Sequence, residues 1–234
     1  MLDNSAPHPS PHIPQIPLSL FAGALLYGGL CVLAGVLGTK IADIGTWPMV
    51  GGLAVESGIF AFLLLVVLAS ATAELHGTAT ANKLVRFGFV PLIVSMILLM
   101  VVIHLVPPAP FWPDQDSFAH LLGQGARMQF AGLCSYGTSQ TLNVYVFSKL
   151  AAGGDGKKLW LRAWLASLLS QVVDTVIFIT ISFYGVINAS TGQPMPIGEL
   201  MTGQIIAKLL LSTIMVPPLI YLFVGLGKWL DQRA

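Results

Sequence analysis

FGFVPLIVSMILLMVVIHLV, residues 87–106, decides what kind of molecule this is. The stretch runs without a single Lys, Arg, Asp or Glu. A helix needs about 20 apolar residues to cross about 30 Å of hydrocarbon, and this one supplies them. Five further stretches qualify on either side: 18–37 and 52–73 before it, and 121–147, 161–186 and 205–226 after it. The 121–147 stretch is the most polar, and hydropathy alone rates it weakly. The overall composition agrees. Of 234 residues, 55% are hydrophobic and 9% charged, against roughly 25% charged in soluble proteins. A soluble domain could not cover its surface with so few charges. The net charge of +1 argues against a nucleic-acid binder, which would need a basic face. The expected fold class is therefore an all-α integral membrane protein of six transmembrane helices.

Loop charges orient the bundle. Lys83 and Arg86 follow the second stretch. Lys149, Lys157, Lys158 and Arg162 lie between the fourth and fifth, and Lys228 and Arg233 follow the sixth. These are eight of the eleven basic residues, and segments 107–120 and 187–200 contain none. That is the positive-inside pattern with both ends cytoplasmic, broken only by Lys40. Arg127 and Lys208 fall within the fourth and sixth stretches. The Pro-rich segment 1–17 lacks a basic n-region, so it is expected to be a disordered tail rather than a signal peptide. Residues 18–228 then form the transmembrane domain and 229–234 a cytoplasmic tail. Segment 45–58, GTWPMVGGLAVESG, is glycine-rich and contains Glu56. It reads as a flexible outer loop, with a re-entrant segment as the alternative. Cys31 and Cys134 lie in separate apolar stretches, which argues against a disulfide, and no metal spacing surrounds them.

Ionisable and amide side chains inside a bilayer are costly, which makes them functional candidates. Tyr136, Gln140, Asn143 and Phe147 recur at i, i+4, i+7 and i+11, one face of a helix. Ser167, Gln171, Asp174 and Phe178 repeat that spacing, and Gln204, Lys208 and Ser212 follow at i, i+4 and i+8. Gln140 lies nine residues from Lys149 and Gln171 nine from Arg162. Both glutamines are thus about 13 Å in from the cytoplasmic ends. Lys208, twenty residues from Lys228, should sit nearer the outer surface. A direct Asp174–Lys208 pair would then need helix tilt or a bridging water. Arg127 reads either as a site residue or as a cation snorkelling to the outer interface. Glu74 reads as a site residue or a headgroup-region carboxylate.

The set suits a planar ligand rich in hydrogen-bonding groups. A carboxylate at Asp174 can accept two parallel N–H bonds from a guanine-like edge. Gln140, Asn143 and Gln171 can donate and accept, Lys208 can bond a ligand carbonyl or tune Asp174, and Tyr136 or Phe178 can stack on a base face. From the residues alone this supports a transporter of a small polar solute. No serine-hydrolase elbow, zinc-protease motif or phosphate loop occurs, so an enzyme and a built-in ATPase are not expected, nor is a cofactor.

Three runs resemble a known family: Ser139–Phe147 (SQTLNVYVF), Ser170–Ile181 (SQVVDTVIFITI), and Gly203-Gln204 through Lys208 to Pro218-Leu219-Ile220-Tyr221-Leu222. They are similar to the VUT family of queuosine precursor transporters over about residues 20–228. The resemblance implies a six-helix fold like the substrate-binding subunits of energy-coupling-factor vitamin transporters. It also implies uptake of 7-cyano- or 7-aminomethyl-7-deazaguanine across a bacterial cytoplasmic membrane. Matching positions are Lys40, Glu74, Gly77, Arg127, Gln140, Gln171, Asp174, Gln204 and Lys208. Ser70, Asn143 and Val216 stand where the family carries aspartates, leaving fewer groups to carry protons. A substrate-binding subunit for another solute or vitamin, served by a separate energising complex, is the alternative.

Overall fold

The computed structural model describes residues 16–47, 51–152, 159–188 and 191–233, and the tail expected over 1–17 lies almost wholly outside them. Helix α1 (Leu18–Gly38) leads into a hairpin of β1 (Ile41–Trp47) and β2 (Gly51–Glu56). Helices α2 (Gly58–His76), α3 (Thr78–Leu105), α4 (Gln115–Ala152), α5 (Leu159–Phe183), α6 (Ile197–Ile214) and α7 (Val216–Asp231) follow. Among the described residues α1, α2 and α3 are long and apolar enough to cross a membrane. On α3, Phe87, Val90, Val94, Ile97, Leu98 and Val101 all face outward. Water would penalise such a continuous apolar stripe, whereas lipid accepts it.

The stretch expected to be a loop or re-entrant segment is an antiparallel hairpin. Ile41 pairs with Glu56, Ala42 with Val55 and Asp43 with Ala54, and the register shifts before Thr46–Gly52. The irregularity has a local cause. Gly45 adopts a φ of 90°, a conformation that disfavours a side chain. Its N–H donates to Asp43 Oδ1 at 2.8 Å. Leu53 and Val55 are buried, with Val55 packing on Ile59 and Ala207. The hairpin lies so close to α6 that a Cβ on Gly203 would land on the Ala54 carbonyl.

Two breaks differ from the sequence expectation. Gly77, at a φ of 83°, ends α2 and starts α3, so the third helix begins nine residues before Phe87. The sixth stretch is two helices rather than one. Pro217 and Pro218 lack the N–H groups that would reach back four residues in a continuous helix, and the helix is interrupted at Met215.

Among the described residues the core has three parts. Tyr27, Leu30, Cys31, Ala61 and Leu68 join α1 to α2, with Leu84, Val85 and Leu92 of α3 packed against them. Met128, Ile179, Phe183 and Leu200 join α4, α5 and α6. The hairpin cluster links α2 to α6. At one end of the bundle Ser19 ties three helix ends together. Its backbone N–H and its hydroxyl donate to the Asp231 carboxylate at 2.8 and 2.6 Å, and His76 Nε2 lies 2.7 Å from the same hydroxyl. Because that hydroxyl proton goes to Asp231, His76 Nε2 must be the donor to Ser19 Oγ.

Candidate functional site

A cavity of about 480 Å³ lies among α1 to α6, within the size range of small-molecule sites. Its apolar walls come mainly from α1 and α2. Most of its polar groups come from α4, α5, α6 and the end of β2, with Tyr27 of α1 and Ser70 of α2 beside them. The shared spacing of the polar stripes explains the division. One face of each polar helix turns inward, because the outer face must meet lipid.

Asp174 and Lys208 meet directly. Lys208 Nζ lies 2.9 Å from Asp174 Oδ2, with both side chains largely buried. At that distance no bridging water is needed. Its ammonium also donates to Thr175 Oγ1 at 3.2 Å and sits 5.4 Å from the centroid of the Phe62 ring. Ser139 Oγ lies 3.4 Å from Asp174 Oδ1.

The other expected residues divide. Gln171, Tyr136, Phe178 and Gln204 line the cavity. Tyr136 packs at 5.0 Å and 52° against Phe89. Gln140 and Asn143 belong to α4, but their side chains lie outside the described set. Arg127 is not a cavity residue and does not snorkel free. Its Nε and Nη2 donate at 2.6 Å to the carbonyls of Ile181 and Tyr184. It thereby caps the C-terminal end of α5, where carbonyls lack helical partners and a cation is favoured. Gln124 assists through Ser182 O at 2.7 Å. Glu74 stands exposed on the last turn of α2, away from the cavity.

Two cavity residues escaped the sequence reading. Gln129 is buried and braces three helices: its Oε1 accepts from Ser95 Oγ at 3.1 Å and its Nε2 donates to Val32 O at 3.3 Å. Glu56 is 4% exposed. It accepts from Gln204 Nε2 at 2.9 Å and from the Gly58 N–H at 2.8 Å. The available signal was a carboxylate placed immediately before an apolar helix in a glycine-rich stretch.

Apolar outward faces around an inward cavity that carries a few polar groups define a multi-pass membrane protein that handles a small solute. Comparison of sequences narrows the class. Residues 56–223 match the family described as "Putative vitamin uptake transporter", and the chain belongs to that family of transporters. It is 32% identical over 117 residues to the "Probable queuosine precursor transporter" of Bacillus subtilis (strain 168), a match spanning 50% of this chain. The chain thus covers about half (51%) of the length of that curated relative. No solved structure matches it.

Proposed function

We propose that this protein imports a queuosine precursor, 7-cyano- or 7-aminomethyl-7-deazaguanine, across the cytoplasmic membrane of a bacterium. The observation that carries the reading is the cavity among the helices. It combines a carboxylate–ammonium pair, amide side chains and aromatic rings, which together match a planar base with donors and acceptors on its edge. The Bacillus relative's name points the same way. In this reading Tyr136 and Phe178 stack on the base and Lys208 donates to its carbonyl. Asp174 holds Lys208 in place, while Gln140, Asn143 and Gln171 take the remaining polar atoms.

The same reading makes the bundle six-spanning, with α6 and α7 as one broken span and a fold similar to energy-coupling-factor substrate-binding subunits. The meeting of Ser19, His76 and Asp231 supports it, since it brings the start of α1, the end of α2 and the end of α7 to one side. The basic loops make that side cytoplasmic. Asp174→Ala should abolish precursor uptake in a queuosine-precursor auxotroph while the protein stays in the membrane. Wild-type uptake by that variant would remove Asp174 from the site. The family description, vitamin uptake, favours one second reading: a binding subunit for another solute that needs an energising partner. Uptake by the chain alone in liposomes would exclude it.

A further inference from the structure

Glu56 is a buried carboxylate without a bonded cation among the described residues. Its two oxygens accept only from the neutral Gln204 amide and the Gly58 N–H. A carboxylate offers about four acceptor positions, so half its capacity is unfilled. Burying a charge without compensation is strongly unfavourable. Beside it, Gln204 is 2% exposed, and its Oε1 has no hydrogen-bond partner among the described residues. The two facts share a cause. Glu56 claims the amide's NH₂ group, so the amide carbonyl must turn away, and it finds no donor. Both residues line the cavity.

Lys208 lies one turn further along α6. Side chains four apart share a helix face, with Cβ atoms about 5–6 Å apart. Two of the three ammonium donors go to Asp174 and Thr175, which leaves one. Along α6 the wall therefore carries a donor at Lys208, an acceptor at Gln204 Oε1 and, beyond it, an acceptor at Glu56; Oε1 is itself covered, so a ligand reaches it only as the amide turns toward the cavity and frees Glu56.

We propose that Glu56 and Gln204 form an acceptor subsite that reads paired N–H donors on the planar edge of the ligand, with Lys208 taking the adjacent carbonyl. A 2-amino-pyrimidinone edge carries a carbonyl, a ring N–H and an amino group side by side. It is the complement of this wall. The assignment moves the N–H edge from Asp174, which is committed to Lys208, to the hairpin glutamate. It rests on the base-transport reading for the identity of the ligand, though not for the existence of the subsite. A site that hydrogen-bonds a ligand donor rejects an analogue lacking it far more strongly than an apolar pocket rejects a size mismatch.

Binding to the purified full chain tests this with guanine and hypoxanthine, which differ by the 2-amino group. Wild type should bind guanine at least about tenfold tighter. Glu56→Gln should lose at least about tenfold for guanine and change less than about threefold for hypoxanthine. Guanine binding unchanged in Glu56→Gln would overturn the subsite. If that variant does not fold, Gln204→Met carries the same expectation. If wild type binds neither base, the deazaguanine reading falls and benzamidine, a planar amidine, tests the subsite alone. Thermal stabilisation of wild type by benzamidine that disappears in Glu56→Gln keeps the subsite. Equal stabilisation of both, or none of wild type, overturns it.

Discussion

Arg127 and Lys208 begin as equals, each a cation within an otherwise apolar stretch, and end in different regions doing different work. Lys208 faces the cavity and bonds a carboxylate. Arg127 sits at the far corner of α4 and α5, where two carbonyls at the end of α5 take its guanidinium. The geometry of each head group fits its place. A planar fork satisfies two fixed carbonyls at once, whereas an ammonium with three rotatable donors can hold Asp174 and Thr175 and keep a donor for a ligand. A cation in a membrane helix is therefore not in itself a site. It becomes one when its partner lines a cavity.

The sharpest way to break this comparison is to remove each cation in turn. Lys208→Met leaves Asp174 largely buried without its partner, which should cost about 3 kcal/mol of stability and abolish ligand binding. Adding Asp174→Asn should recover most of the stability, because the buried charge is gone, while binding stays lost. Thermal unfolding and ligand titration on the same preparations separate the two effects. A lysine variant that binds normally would make the Asp174–Lys208 pair a structural brace like that of Arg127.

Arg127→Met should have the smaller and one-sided effect. It removes two charge-assisted hydrogen bonds from carbonyls at the end of α5, a loss of about 2 kcal/mol. Ligand affinity at saturating folded protein should remain within about twofold, since Arg127 does not line the cavity. A drop in affinity without a drop in stability would return Arg127 to the site.

The contrast also shows what the sequence could carry. α3 was legible because lipid accepts apolar side chains on most of its surface, so composition alone identifies it. The inward faces of α4, α5 and α6 were legible because helical spacing brings polar residues into register. That logic does not reach the end of the chain's excursion out of α1. Glycine-rich 45–58 hid a hairpin because strand pairing depends on partners and register more than on local propensity. Glu56, read as a loop residue, therefore went unrecognised. The direct contact between Lys208 and Asp174 was not legible either. Residue counts along separate helices do not fix how two neighbouring helices stand in register, and the sixth stretch is in addition interrupted at Met215. Arg127 could not be told from Lys208 by spacing, because its partners are backbone carbonyls that any sequence would supply.

A third ionic feature, away from both regions, should give the smallest effect. Ser19 ties the Asp231 carboxylate to the start of α1, and hydrogen bonds from the Ser19 hydroxyl and N–H hold that carboxyl below its ordinary value of 3.8, with nearby His76 adding to the effect. A carboxylate depressed in the folded state favours folding above its unfolded pKa, and the advantage fades as pH falls through the folded one. Wild type and Ser19→Ala should differ most in thermal midpoint above pH 4 and converge below it as Asp231 protonates. The hydroxyl is one of two donors and Asp231 is exposed, so the separation should be small beside that of the Lys208 and Arg127 variants. A gap between the two proteins that persists unchanged at the lowest pH would mean that the serine serves the helix ends by packing or through His76, and that the charge on Asp231 contributes nothing.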